Sequence, residues 1–338
     1  MPEKYFRNKI TWLTFFFSIL VIWVHSYNAV LFLGNTGAGL RLDMLERFLG
    51  NRVGQIAVPG FFLMSSYLFF RNFTLDRLPV KWNSRTRSVL VPYILWNFIY
   101  YLGYIIGSRI PMVSEVIGKG KVSFTFTRAA DAILNYTYNY VFWYLYQLIL
   151  LILLAPLIYL LTKRLATAFL FLTGILAAVY MGAALPFLNL DALFYYAFGA
   201  FAAIHGKNVT ENGWNQKRFG AGIALFFAAF LIMKGGVSAA AVMGFRLLVP
   251  VGLWLAVPEK CLGEARGWMK QNFFLYAVHF AMVRLINKTG ALLLPAYPAV
   301  SLGLFLIMPA ICVFFSFQIG RFLRKFLPIL WQLLNGGR

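Results

Sequence analysis

The chain has 338 residues, of which 61% are hydrophobic and 12% charged, with a mean hydropathy of +0.73. A soluble domain carries about 25% charged residues, so the composition excludes a soluble globular chain and predicts an all-α polytopic membrane bundle. A formal charge of +21 would suggest nucleic acid in a soluble protein; here the basic residues fall between apolar runs, so topology and lipid headgroups account for them and no nucleic-acid partner is expected.

About ten transmembrane helices are predicted, over roughly 10–33, 53–70, 89–108, 138–161, 166–185, 190–205, 219–234, 237–257, 272–292 and 297–320. They form one integral membrane domain over 1–338. The first run is too long for the apolar core of a signal peptide and is kept as a helix. Pro92, Pro156 and Pro250 lie in or near spans, which bilayer helices tolerate when neighbours satisfy the freed carbonyls. Cys261 and Cys312 are far apart, so neither a disulfide framework nor a metal site is expected.

Most of the 31 basic residues fall in alternate loops, beginning with Lys4, Arg7 and Lys9 and ending with Arg321, Arg324, Lys325 and Arg338. By the positive-inside bias both termini are expected in the cytoplasm of a multi-pass cell-membrane protein. The loop 71–88 carries Arg71, Arg77, Lys81, Arg85 and Arg87 against a single acid, Asp76. It reads either as a topology anchor or as a phosphate-binding surface, since Arg suits bidentate phosphate contacts.

The first span, ITWLTFFFSILVIWVHSYNAVLFL, holds one titratable group besides Tyr27, the imidazole of His25. An ionisable side chain inside a span is costly and marks a functional site by default, and histidine can hold or release a proton near neutrality. His25 is therefore the candidate general base. The bland alternative is a histidine bonded to a backbone carbonyl. The glycosylation-type patterns at Asn72, Asn135, Asn208 and Asn287 carry little weight, because two of them fall on the expected inner side.

Six stretches in order resemble the acyltransferase 3 family of integral membrane acyltransferases. They are ILVIWVHSYN (19–28), VPGFFLMSSYLFF (58–70), RTRSVLVPYILWN (85–97), FWYLYQLILLILLAPLI (142–158), FYYAFGAFAAIHG (194–206) and NFFLYAVHF (272–280). Each is weak alone, and the ordered set is specific. Ser66 stands where the family pattern usually has Gly. The pattern also carries an Arg ahead of the first-span histidine with ten intervening positions, where this chain has Thr14. Lys9 or an Arg from another helix supplies that charge, or its role is absent.

The resemblance implies an O-acyltransferase. It would move an acyl group, acetyl by default, from acyl-CoA (acetyl-CoA) to a hydroxyl of a cell-surface carbohydrate or lipid-linked sugar, without a metal. The donor is expected near Arg85 and Arg87. No Ser or Cys stands out as a nucleophile, so direct attack is expected. A transporter or flippase for a lipid-linked or polymeric carbohydrate is the rival, but the two-half repeat that would favour it is not evident.

Counting helical rise places His25 about 12 Å from the outer end of its span. Arg246 and Arg284 fall at a similar depth and are expected to face one polar cavity with His25; Arg52 lies a little shallower, and all three are candidate acceptor contacts. His279 falls in the inner half, too far from His25 for a hydrogen bond and nearer the donor, with Tyr276 one turn away to orient it. Trp143 and Tyr146 read as interfacial aromatics, with Trp143 a candidate acceptor contact. Ser65 and Ser66 read as small packing residues. Asp43, Glu46, Glu115, Asp131 and Asp191 are the outer carboxylates that could serve His25 instead.

Overall fold

The computed structural model describes residues 1–235 and 238–337, the side chains of Met112 and Val116 excepted. Val237, where the eighth span was expected to begin, and Arg338 lie outside the described residues. Among the described residues every regular element is helical, as the composition requires.

The ten expected spans are met in part. Among the described residues six helical stretches are long and apolar enough to cross a membrane: Glu3–Leu33, Gly37–Phe70, Leu75–Gly107, Gln216–Lys234, Ala239–Ala256 and Pro298–Phe326. A seventh is added if Tyr140–Leu153 and Ala155–Thr162, bent by 64°, are taken as one span. The bend falls beside Pro156, whose ring cannot continue the helical hydrogen-bond ladder. Leu165–Tyr180 and Leu190–His205 are apolar but only 16 residues each. Asn272–Leu293 is long enough, at 22 residues, but it carries His279, Arg284 and Lys288.

The chain forms two compact units, neither of them continuous in sequence. The first comprises Met1–Ser18, Gly54–Trp82 and Gln147–Lys270. In it Ala57–Phe70 lies close against Leu190–His205, because Gly199 has no side chain. A Cβ there would sit 2.7 Å from the Leu63 carbonyl and 2.8 Å from the Ser66 Cβ. The Ser66 hydroxyl donates to the Tyr196 carbonyl across the same contact, so Ser66 is the small packing residue its sequence context suggested. The Arg71 guanidinium closes one end of this unit, pairing with both Glu211 and Glu3 at 2.8 Å.

The second unit comprises Ile19–Val53, Asn83–Tyr146 and Gln271–Arg338. Its frame is a parallel pair of helices, Val91–Gly107 and Asn272–Leu293, in contact at three levels. Trp96 meets Phe274 with ring centroids 5.6 Å apart. The Tyr100 hydroxyl donates to the Ala277 carbonyl at 2.9 Å. Arg284 donates to the Tyr104 hydroxyl at 3.0 Å. The short helix Pro328–Leu334 packs at the first level, Trp331 against Phe274 and the Leu334 carbonyl accepting from the Trp96 indole at 2.9 Å.

Candidate active site

The first long helix, Glu3–His25, ends at the histidine, and residues 26–28 are not helical before the chain resumes as Ala29–Leu33. A helix break exposes backbone groups that must find partners where no water reaches. Buried polar side chains of the second unit supply them. The Glu46 carboxylate accepts from the backbone N–H of Asn28 at 2.8 Å and of Ala29 at 3.2 Å. Asn287 donates to the Ser26 carbonyl at 3.1 Å, and Ser301 donates to the Asn28 side-chain oxygen at 2.6 Å. The Ser26 hydroxyl turns back to the Ile22 carbonyl at 2.6 Å. Glu46, Asn28, Asn287 and Ser301 are all buried. Together they fix the break, and with it the place of His25.

His25 Nδ1 lies 2.9 Å from the Tyr140 hydroxyl. Tyr140 stands in a single turn, Tyr140–Phe142, ahead of Trp143–Leu153. The Phe280 ring packs edge-on against both, with centroids 5.6 Å from His25 and 4.6 Å from Tyr140. Asn139, next to Tyr140, is fully buried, and neither of its amide atoms has a hydrogen-bond partner among the described residues.

His279 was expected at another depth, yet its ring lies beside that of His25, with centroids 5.4 Å apart. The depth count assumed straight parallel spans with ends read from hydropathy. The first helix instead stops at His25, and Asn272–Leu293 brings its eighth residue to that level. His279 is 1% exposed, and its Nδ1 lies 2.6 Å from the Tyr276 carbonyl. Tyr276 therefore orients His279 through its backbone, while its hydroxyl donates to the Val141 carbonyl at 2.7 Å.

Arg284 joins this cluster through Phe280, its guanidinium carbon 5.7 Å from the ring centroid. A cavity of about 370 Å³ runs along the helix pair, lined among others by Trp96, Tyr100, Gly103, Tyr104, Phe280 and Arg284. Arg246 belongs to the first unit, where it lies 3.8 Å from the Asp191 carboxylate and 3.3 Å from the Gln55 side-chain oxygen. The assembled site of the second unit is thus two imidazoles, a phenol and a guanidinium around one phenylalanine.

The likeness noted in the six ordered stretches extends over the chain, for residues 7–319 match the acyltransferase domain of the acyltransferase 3 family. The chain belongs to that family. It is also similar to the succinoglycan biosynthesis protein ExoH of Rhizobium meliloti (strain 1021), 26% identical over 341 residues, covering 91% of this chain and 85% of the relative. No solved structure matches. The membership makes this a multi-pass membrane acyltransferase.

The other expected residues of the acyltransferase lie as follows. Arg85 ends the helix Leu78–Arg85 and is half-buried; Arg87 is exposed in the wide turn Thr86–Leu90 that leads into Val91–Gly107. Arg52 is exposed in the turn Leu49–Val53, and Trp143 is half-buried at the head of its helix. Lys9 is buried in the first unit, its ammonium donating to the Val257 carbonyl at 2.7 Å and 4.8 Å from the Trp254 ring centroid. Its charge is engaged there. Sequence reasoning missed Tyr140, whose aromatic-rich surroundings from Tyr136 to Tyr146 look like an interfacial belt.

Proposed function

We propose that this protein is a cell-membrane O-acyltransferase, with both termini in the cytoplasm. It transfers an acyl group, acetyl by default, from acyl-CoA to a hydroxyl of a cell-surface carbohydrate or lipid-linked sugar. The acceptor class is suggested by the similarity to a succinoglycan biosynthesis protein. The observation that carries the chemistry is the hydrogen bond of His25 to Tyr140 at the helix break.

When His25 Nδ1–H donates to the Tyr140 oxygen, Nε2 carries the lone pair. That is the tautomer a general base needs. The acceptor hydroxyl then attacks the thioester carbon while its proton passes to Nε2. The tetrahedral intermediate collapses with cleavage of the C–S bond, the electron pair leaves on sulfur, and the His25 proton passes to it. CoA departs as the free thiol and the base is restored. Arg284, bonded to the Tyr104 hydroxyl and lying over the Phe280 ring, offers a positive charge to the developing oxyanion or to an anionic group of the acceptor. Arg85 and Arg87 offer guanidinium groups for the CoA phosphates at the start of the helix Val91–Gly107. Arg246, Arg52 and Trp143 are the further residues we assign to the acceptor.

The test uses the purified full chain, acetyl-CoA and surface polysaccharide from cells lacking the protein. Wild type should release free thiol and acylate the polysaccharide. His25→Ala should lose about 10²–10⁴-fold of the rate at normal membrane abundance. Residual activity above about a tenth of wild type would remove His25 from the role of base, since general-base catalysis contributes more than that.

A further inference from the structure

The hydrogen bond of His279 fixes its tautomer. A carbonyl only accepts, so the 2.6 Å contact with Tyr276 puts the proton on Nδ1 and leaves the lone pair on Nε2. That Nε2 is buried and has no hydrogen-bond partner among the described residues. A buried acceptor left unmet is costly, and a group in a reactive site that tolerates the cost is waiting for a donor. The imidazole is held firmly. The Val141 carbonyl takes the Tyr276 hydroxyl, and the Tyr276 ring stacks on Phe142 at 5.5 Å and 10°. One short turn, Tyr140–Phe142, thereby registers both imidazoles, His25 through Tyr140 and His279 through the Tyr276 that it anchors.

The attacking hydroxyl gives up one proton, and His25 carries it to the leaving sulfur. The second lone pair needs a donor that keeps its hydrogen. Its place along the helix pair indicates which. From the basic turn at Arg87 the paired helices meet at Trp96 with Phe274, then Tyr100 with Ala277, then Tyr104 with Arg284. His279 lies between the second and third levels. By helical rise that is roughly 20 Å from Arg87, a span of the order of the extended arm joining the CoA phosphates to its sulfur. That arm contains amide N–H groups, one of them close to the sulfur. An anion is disfavoured at Nε2, because a lone pair repels it.

We propose that His279 is a donor-specificity residue whose Nε2 accepts a hydrogen bond from the amide N–H of the pantetheine arm next to the thioester. This rests on reading the site as an acyl-CoA transferase. Phe280 stands between the 370 Å³ cavity, which it lines, and His25, which it covers, so the arm reaches the imidazoles when the Phe280 ring turns aside.

The test compares two acetyl thioesters at their kcat/KM: S-acetyl-N-acetylcysteamine, which keeps the amide, and S-butyl thioacetate, which lacks it. The acceptor is surface polysaccharide from cells lacking the protein. Wild type should prefer the amide thioester by about tenfold or more, as expected for one satisfied buried hydrogen bond. His279→Leu should lose the preference, its kcat/KM on the amide thioester falling to that on S-butyl thioacetate, and His279→Gln, whose amide oxygen can accept, should keep part of it. The comparison is a ratio within one protein, so a reduced amount of variant does not disturb it. A wild type that does not discriminate overturns the proposal, and so does a His279→Leu that keeps the preference or loses both rates equally. If wild type transfers from neither thioester nor from acetyl-CoA, the acyltransferase reading itself fails.

Discussion

Replacing Glu46 should show how far the helix break positions the base. In Glu46→Ala the backbone N–H groups of Asn28 and Ala29 lose the oxygen that accepts both of them. Each buried donor left unsatisfied costs about 1–3 kcal/mol, so the pair costs about 2–6 kcal/mol. That is a large part of the 5–15 kcal/mol that typically separates folded from unfolded protein. The bonds from Asn287 to Ser26 and from Ser301 to Asn28 remain, so the segment should loosen before the unit unfolds. Glu46→Gln keeps a carbonyl oxygen for the same two donors and should lose only the charge-assisted part, about 1 kcal/mol. The assays are thermal denaturation of the purified protein, hydrogen exchange across residues 22–30 and the acyl-transfer rate. Glu46→Ala should lower the melting temperature by several degrees, speed exchange at residues 26–29 and cut the rate more than tenfold. Glu46→Gln should fall between it and wild type. A Glu46→Ala protein equal to wild type in all three would refute the reasoning. A Glu46→Gln protein as damaged as Glu46→Ala would mean that charge, rather than an acceptor, holds the break.

Tyr140→Phe removes the hydroxyl at His25 Nδ1 and should lower kcat by about tenfold, one neutral hydrogen bond's worth, with little change in the KM for acyl donor; an unchanged kcat would dissociate Tyr140 from the base. Arg85→Ala combined with Arg87→Ala should raise the apparent KM for acetyl-CoA more than that for the acceptor, and wild type should lose donor affinity as salt is added. An unchanged donor KM would leave those two residues with topology alone. Burial tends to raise the Glu211 carboxyl, but the Arg71 guanidinium and the Tyr67 hydroxyl outweigh it and hold it below its ordinary value of 4.5. A depressed acid stabilises the fold above its unfolded pKa, and that contribution is lost as pH falls through the folded value. Arg71→Ala should therefore melt earlier than wild type at pH 7, and the two melting temperatures should converge below pH 4.5; a gap that persists there would assign the effect to packing of Arg71 on Phe6, 4.5 Å from its ring centroid.

What the sequence made legible follows from which signals are local. An apolar run needs no partner to be recognised, so the helical membrane class and the isolation of His25 could be read directly. The six ordered stretches likewise located the family. The number of spans is less legible, because a 16-residue apolar helix such as Leu165–Tyr180 falls just short of the length by which hydropathy marks a crossing. Nor could the spans' contents be ordered by depth. Adding 1.5 Å per residue supposes that each helix continues, and the first stops at His25 for reasons held elsewhere in the chain. Those reasons are single polar residues, Glu46, Asn287 and Ser301, the last two inside predicted spans, and nothing in the sequence names their partners. Asn287 even stands in a glycosylation-type pattern, yet it is buried on the Ser26 carbonyl.

The same physics explains why the two imidazoles meet. A bilayer leaves no water to satisfy a broken helix, so the break must gather buried polar partners from distant segments, and the segment that supplies Asn287 is the helix that carries His279 two turns earlier. Once Asn287 reaches Ser26, one residue past His25, the geometry of that helix leaves His279 little choice of neighbour. The adjacency of His25 and His279 is therefore a consequence of how the break is satisfied. A substitution that weakens Asn287, such as Asn287→Ala, should disturb both imidazoles together, lowering the transfer rate and the amide preference assigned to His279 in one step. Loss of rate with the preference intact would show that the two histidines are positioned independently.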